Sequence, residues 1–442
     1  LLLAEVVREI ALHGAGAPPD VAAAAARRAA SAAHAVIDRE DGVSVERWVR
    51  SVARDLRMNP GRTIVIAGER QTAEVHAIAH ALNALLGNVG RTVRYVEPPL
   101  ADAMDAAGSP VPLAALVAEM RAGAVDTLVI LDANPVYDAP ADLDFGGALA
   151  RVRRTICLGL YENETAAACH WFVPSLHYLE RWGDTRAWDG TASIIQPLIR
   201  PLYDGRGADD VLAAFLGMTG VSTHEMLRET WRERAGPPDF EAFWEDALRR
   251  GVVSGTEAAP LSIAPAWDAF AALLADAAGR RTDGAPAPAR VTPGREDERR
   301  EPRGAEAASE PAATDLELVF VQDASVYDGR FANNAWLQEL PDPLTKLTWD
   351  NAAMVSPRTA ARLALETGRV ARLRLRGREL AIPVFVLPGQ TDNVITLAVG
   401  YGREGGEAVA RGVGANAYLL RTSDAPYFAT GATLEPLDEQ RP

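Results

Sequence analysis

The feature that most limits the folds open to this chain is a change of hydrophobic period along it. Up to about residue 176, short β-branched runs alternate with helical stretches. "RTIVIAGE" (62–69) is a β-branched run ending in glycine, the pattern of a buried strand. "TAEVHAIAHALNALLGNVG" (72–90) places Val75, Ile78, Ala79, Leu82, Leu85 and Leu86 at helical spacing, with Gly87 as the stop. "RTVRYVEPP" (91–99) reads as a second strand, "LAALVAEMRAG" (113–123) as a helix and "VDTLVILDANP" (125–135) as a strand. "RRTICLGLY" (153–161) and "HWFVPSL" (170–176) complete the set. This alternation predicts an α/β domain over 45–220 with a doubly wound, mostly parallel sheet. Ligands of such sheets sit at the carboxyl ends of the strands, which brings the loops "DANP" and "LYEN" forward.

The flanking segments read differently. Residues 1–44 form a helical segment that reads as already under way at its first residue, with an alanine-rich stretch at 20–37. Residues 221–279 are helical in pattern and carry Trp231, Trp244 and Trp267. Residues 280–314 are rich in Pro, Gly, Ala and charge and free of aromatics, so they read as a disordered linker. From 316 to 421, short alternating runs split by Gly and Pro predict a β-barrel, within a domain spanning 315–442.

Composition removes several function classes. The formal net charge of -15 argues against nucleic acid as a partner. No apolar run approaches the ~18–20 residues a membrane-spanning helix needs. The only cysteines are Cys157 and Cys169, too few for an iron–sulfur cluster or a structural zinc, and no CxxCH offers a haem attachment. Both lie in apolar settings and read as inert thiols, with a disulfide as the alternative in an oxidising compartment.

Four motifs invite chemistry. Gly400, Gly402 and Gly405 match GxGxxG after a strand, but Gly412 and Gly414 break up the next stretch of chain, so no long helix opens there and a barrel turn is the better reading. His76 and His80 lie one helical turn apart without the glutamate of the zinc-protease motif or a third ligand. The cluster Ser175, His177, Glu180, Asp184, Arg186 and Asp189 contains the residue types of a hydrolase triad, but these lie close together in sequence and lack a nucleophile elbow. Asp132 and Asn134 stand at a strand's carboxyl end, where Asn-Pro is equally a routine turn pair.

One further stretch, "WLQELPDPLTKLTWDN" (336–351), is stiff, aromatic and chemically quiet. With its continuation to "AIPVFVLPGQ" it resembles the C-terminal double-psi barrel of the molybdopterin oxidoreductase superfamily. "FVPSLHYLERWGDTRAWDGTASIIQP" resembles a junction of that superfamily, and "VIAGERQTAEVHAIAHALNALLGNVG" is similar to its third, nucleotide-binding-like domain. The resemblance covers about 45–275 and 316–427. "GRFANNAWLQELPDPLTKLTWDN" and "LAVGYGREGGEAVARGVGANAYLLR" are similar to the molybdopterin-like, iron–sulfur subunit of alternative complex III, a bacterial quinol:cytochrome c oxidoreductase. The first part of that fold and the ferredoxin-like part have no counterpart here, so the chain is expected to be one segment, or one chain, of a larger subunit.

The resemblance implies an architectural subunit with no catalytic residue, metal or cofactor of its own. Iron–sulfur clusters and haem c are then expected on neighbouring polypeptide. The implied partners are multihaem cytochrome c subunits, integral membrane quinol-binding subunits and a ferredoxin-like iron–sulfur domain, on the periplasmic side of the bacterial inner membrane. Asn134, Glu180, Gly183, Asp184 and Asn416 match the wall of a vestigial cofactor cleft. Glu180, Asp184 and Asp189 would repel a dinucleotide's phosphates and Arg181 and Arg186 would attract them, so charge alone does not decide whether a pterin is bound. Two alternatives stand beside the architectural reading: part of an active molybdopterin-dependent enzyme, and a molybdopterin-like subunit of an NADH:quinone oxidoreductase, which would also lack the metal.

Overall fold

The computed structural model describes residues 45–98, 112–218, 220–270, 272–273, 316–405 and 408–440. The expected helical segment at 1–44 and the expected linker at 280–314 lie outside them. The chain divides into two compact units. The first takes Leu1–Ala101, Arg186–Thr191 and Gly255–Arg303, and the second takes Asp102–Thr185, Ala192–Ser254 and Gly304–Pro442.

In the first unit, helices α1 (Val45–Met58) and α2 (Ala73–Leu85) share a core of Val49, Ala53, Ile78, Leu82, Leu86 and Phe270. Gly87, at φ +65°, supplies the left-handed residue that ends the α2 turn. The two strands expected here do not form. Residues 62–69 and 91–98 carry no strand, and only an isolated bridge joins Val89 to Val93. The physical reason is the partner. A strand needs a neighbour's backbone, and here a side chain takes that role: Val65 N–H donates to Asn83 Oδ1 at 2.9 Å, and Asn83 Nδ2 donates to Val65 O at 2.7 Å. Thr92 Oγ1 donates to Thr63 O at 2.5 Å.

Among the described residues, the second unit begins with α3 (Leu113–Arg121), followed by a parallel sheet of β1 (Thr127–Leu131), β2 (Arg154–Gly159) and β3 (Trp171–Pro174) in that order. Short helices α4 (Pro135–Asp138) and α5 (Phe145–Leu149) cross from β1 to β2, and α6 (Glu164–Ala168) from β2 to β3. Val117, Met120, Ile130, Phe145, Leu149 and Cys157 pack in the core of this sheet. Its strand order follows the sequence, so the reversal that defines a doubly wound sheet is absent among the described residues.

A hairpin-like pair, β4 (Gly183–Arg186) with β5 (Ala192–Ile195), precedes helices α7 (Ala208–Phe215), α8 (Thr223–Ala235) and α9 (Phe240–Arg250). Trp231 and Trp244 are buried between α8, α9 and Ile194. The helical pattern expected to continue to 279 is broken over 251–266, starting at Gly251, which caps α9 at φ +75°.

The barrel strands are β6 (Leu316–Gln322), β7 (Ala353–Val355), β8 (Arg369–Leu375), β9 (Arg378–Val386), β10 (Val394–Val399) and β11 (Phe428–Gln440). They close in the order β10-β6-β11-β8-β9-β7. Period-two burial is clear along β6, where Leu316, Leu318 and Phe320 point inward, and along β10, where Ile395, Leu397 and Val399 do. Parallel pairs (β10 with β6, β7 with β9) mix with antiparallel ones, which needs long crossovers rather than hairpins alone. The 336–351 stretch is one of these. Its buried Asn351 donates to Ala398 O at 2.8 Å and Ala415 O at 3.0 Å and accepts from Ala415 N at 2.8 Å, so one side chain staples three segments. Asp342 Oδ1 accepts from Leu344 N, Thr345 N and Thr345 Oγ1 at 2.7–2.9 Å, which holds the Pro-Asp-Pro turn. Trp336 is fully on the surface.

Candidate functional site

The strand ends of the parallel sheet and the glycine-rich loop after β10 meet in the second unit. Asn134 lies just beyond β1 and Glu164 just beyond β2, at the carboxyl ends where α/β sheets take ligands. Asn134 is committed on both sides of its amide. Its Nδ2 donates to Glu164 Oε2 at 2.7 Å. Its Oδ1 accepts from Thr165 N at 3.1 Å and Thr165 Oγ1 at 2.8 Å.

The carboxylate of Glu164 is the centre of the site. Arg403 approaches it side-on, Nε lying 2.9 Å from Oε1 and Nη2 2.9 Å from Oε2. The backbone N–H groups of Glu404 and Gly405 each donate to Oε1 at 3.0 Å. Both side chains of the pair are largely covered, at 10% and 11% exposure. Burial pulls the Glu164 carboxyl up, but the bonds from Arg403 and Asn134 outweigh it and hold the group down at about 2.

Arg403 is itself fixed by the barrel. Its Nη1 donates to Gly329 O at 2.8 Å, and its guanidinium lies 4.7 Å from the centre of the Tyr137 ring. Tyr137 Oη donates to Tyr401 O at 2.6 Å, and the ring meets Tyr418 edge-on at 5.1 Å. Burial raises the Tyr137 hydroxyl above its ordinary range. Next to it, burial and then the charge of Asp328 push the Asp138 carboxyl up to about 6. Glycine is required where backbones touch: a Cβ on Gly405 would sit 2.7 Å from Glu164 N, and one on Gly402 2.2 Å from Asn416 N.

No protein-family model matches the chain. Over 221 residues it is 28% identical to the menaquinone reductase, molybdopterin-binding-like subunit of Nitratidesulfovibrio vulgaris strain Hildenborough, covering 42% of this chain and 32% of that protein. Its structure is similar to that of acetylene hydratase from Pelobacter acetylenicus, with a TM-score of 0.51 and 16% identity over 73% of this chain and 46% of the other. The resemblance to the molybdopterin oxidoreductase superfamily holds in sequence and in fold. The chain spans less than half the length of either protein.

Within this fold, the residues singled out from sequence take separate places. Asn134 is part of the Glu164–Arg403 cluster. Asn416 lies beside it, its backbone against Gly402 and its Oδ1 accepting from Tyr418 N at 3.0 Å. Glu180 closes a local turn, accepting from His177 N and Leu202 N at 2.9 Å each. Gly183 begins β4, and Asp184 accepts from Trp231 Nε1 at 3.0 Å. Ser175 Oγ bonds to Leu176 O, and His177 Nδ1 accepts from Leu179 N, so these side chains serve local turns rather than one another.

His80 Nδ1 meets Tyr95 Oη at 2.8 Å. Among the described residues no group of three or more His, Cys, Asp or Glu is placed to hold a metal ion. Cys157 and Cys169 are free thiols, and burial pushes Cys157 up to about 12. Sequence reasoning missed Glu164 and Arg403. The available signals were the acidic residue directly after the "LYEN" loop and the arginine inside the glycine-rich run.

Proposed function

We propose that this chain is a non-catalytic, architectural part of a quinone-linked, membrane-bound respiratory electron-transfer complex. It keeps the molybdopterin-type fold, while iron–sulfur clusters and haem c sit on neighbouring polypeptide. The observation that carries this reading is the filled strand-end crevice. The donors that such a crevice would offer an anionic cofactor are spent on Glu164, a carboxylate of the chain itself. These residues therefore do not fit a bound pterin dinucleotide at that place, and no catalytic step is assigned to it.

The name of the N. vulgaris relative supports the quinone link. Exposed Trp171, Leu198, Leu202, Tyr203 and Leu216 in the second unit suit a chain that packs against partners. Among the described residues no helix is long and apolar enough to cross a membrane, which suits a peripheral place. The finer form of the proposal is an alternative complex III type of quinol:cytochrome c oxidoreductase. Its barrel would have double-psi connectivity, its partners would be multihaem cytochrome c, integral quinol-binding and ferredoxin-like subunits, and it would face the periplasm.

The test is elemental and pterin analysis of the complex purified from its own membranes. The expected result is molybdenum far below one atom per chain and no fluorescent pterin on oxidative release. Iron and haem are expected to leave with the partner polypeptides on dissociation. One molybdenum per chain would overturn the reading in favour of an active molybdopterin enzyme. Oxidation of NADH by the complex would favour the NADH-linked alternative.

A further inference from the structure

The Glu164 carboxylate is bound as a free anion would be. Its Oε1 receives Arg403 Nε and the N–H groups of Glu404 and Gly405 at 2.9–3.0 Å. Its Oε2 receives Asn134 Nδ2 at 2.7 Å and Arg403 Nη2 at 2.9 Å. Two consecutive backbone amides and a side-on guanidinium are the elements of an anion-binding nest.

Arg403, Asn134 and the loop backbone beside Arg403 have anchors other than Glu164. Arg403 is anchored by Gly329 O and by the Tyr137 ring. The loop behind it is fixed by Gly402 N–H donating to Val413 O at 2.7 Å and Gly412 N–H donating to Arg403 O at 2.9 Å. Asn134 is held by Thr165. The acceptor arrives from a sequence position 239 residues before Arg403, on a separate element.

We propose that the 403–405 loop and Asn134 form a binding site for a small oxyanion, a carboxylate or a phosphate, and that Glu164 occupies it as a tethered ligand. The tether keeps the local carboxylate concentration far above that of any dissolved anion. In the native chain the site is therefore closed to small anions. Cutting the side chain back to Cβ leaves a buried, positively charged hole with the volume and donor pattern for acetate. This inference goes beyond the functional reading above and does not depend on it, because metal content plays no part in its test.

The experiment uses the full chain with Glu164→Ala, in chloride and in acetate, formate or phosphate at matched ionic strength. In chloride the melting temperature is expected to fall by roughly 10 °C, since an uncompensated buried charge remains. Acetate or formate at tens of millimolar is expected to restore more than half of that loss, saturably, and to leave the wild-type chain unmoved. Phosphate reports whether the hole also admits a tetrahedral anion. Adding Arg403→Met to Glu164→Ala should abolish the rescue. If acetate, formate and phosphate shift the variant no more than chloride does, the proposal is overturned. Where the variant does not fold in chloride, refolding answers the same question. Soluble chain recovered in acetate but not in chloride supports the receptor, and equal failure in both refutes it.

Discussion

Asp138 and Glu164 are shifted in opposite directions by their different surroundings, and their effects on stability have opposite signs. Burial and the neighbouring Asp328 raise Asp138 to about 6 from an ordinary 3.8. The folded chain thus holds a proton that the unfolded chain releases, so stability is lost as pH rises from about 4 to 6. A shift of that size is worth about 3 kcal/mol at most. Asp138→Asn, measured by urea unfolding across pH 4–7, is expected to remove this loss and stabilise the chain at pH 7 by about 1–3 kcal/mol. An unchanged slope between pH 4 and 6 would show that Asp138 finds solvent or a cation in the folded state. Glu164 works the other way, because Arg403 and Asn134 hold it at about 2 against its burial. Its stabilisation is present above its unfolded value and disappears as pH falls towards 2. Glu164→Gln is expected to lower stability at pH 7 by about 3–5 kcal/mol, leaving Arg403 uncompensated, and by much less near pH 2. A loss that stays the same at both pH values would mean that shape rather than charge holds the pair.

At the scale of elements, the glycine-rich loop after β10 separates two uses of glycine. Gly402 and Gly412 both have positive φ, at +69° and +72°. A Cβ on Gly402 would meet Asn416 N at 2.2 Å and Ala415 C at 2.6 Å, whereas one on Gly412 meets nothing within 4 Å. Gly412→Ala should therefore cost only the left-handed backbone penalty of about 1–2 kcal/mol. Gly402→Ala adds a backbone clash that neither partner can relieve, and about 3 kcal/mol or more is expected from chemical denaturation. Equal losses would remove the close approach as the reason for glycine.

The same contrast explains what could be read from the sequence. The inward alternation of β6 and β10 and the apolar runs of β1 to β3 are local patterns, so they were legible. Whether 62–69 and 91–98 become strands depends on a neighbouring backbone. Asn83 supplies a substitute for one, and nothing in the local sequence marks an asparagine for that role. The site was legible only from one side. Asn134 is visible as a polar residue at a strand end, but the ion pair it supports joins Glu164 to Arg403 across 239 positions. The glycine spacing suggested phosphate, and the lack of a following helix argued against it. The loop does turn its amides towards an anion, which the chain itself supplies.

At the scale of the whole molecule, the two compact units carry separate cores. Val49, Ile78, Leu82, Leu86 and Phe270 form the core of the first. The barrel core of the second includes Leu318, Leu373, Ile382 and Leu397, and shares no residue with it. Leu82 and Leu373 are both fully buried. Truncating either to alanine should cost about 3–5 kcal/mol through lost burial and a residual cavity. Because the two cores share no residue, scanning calorimetry is expected to resolve two transitions, the first unit giving the smaller enthalpy because fewer of the described residues belong to it. Leu82→Ala should lower only the smaller transition and Leu373→Ala only the larger. A single transition that both variants lower equally would mean that the units melt as one cooperative body. In that case the division between them would be one of contacts and not of stability.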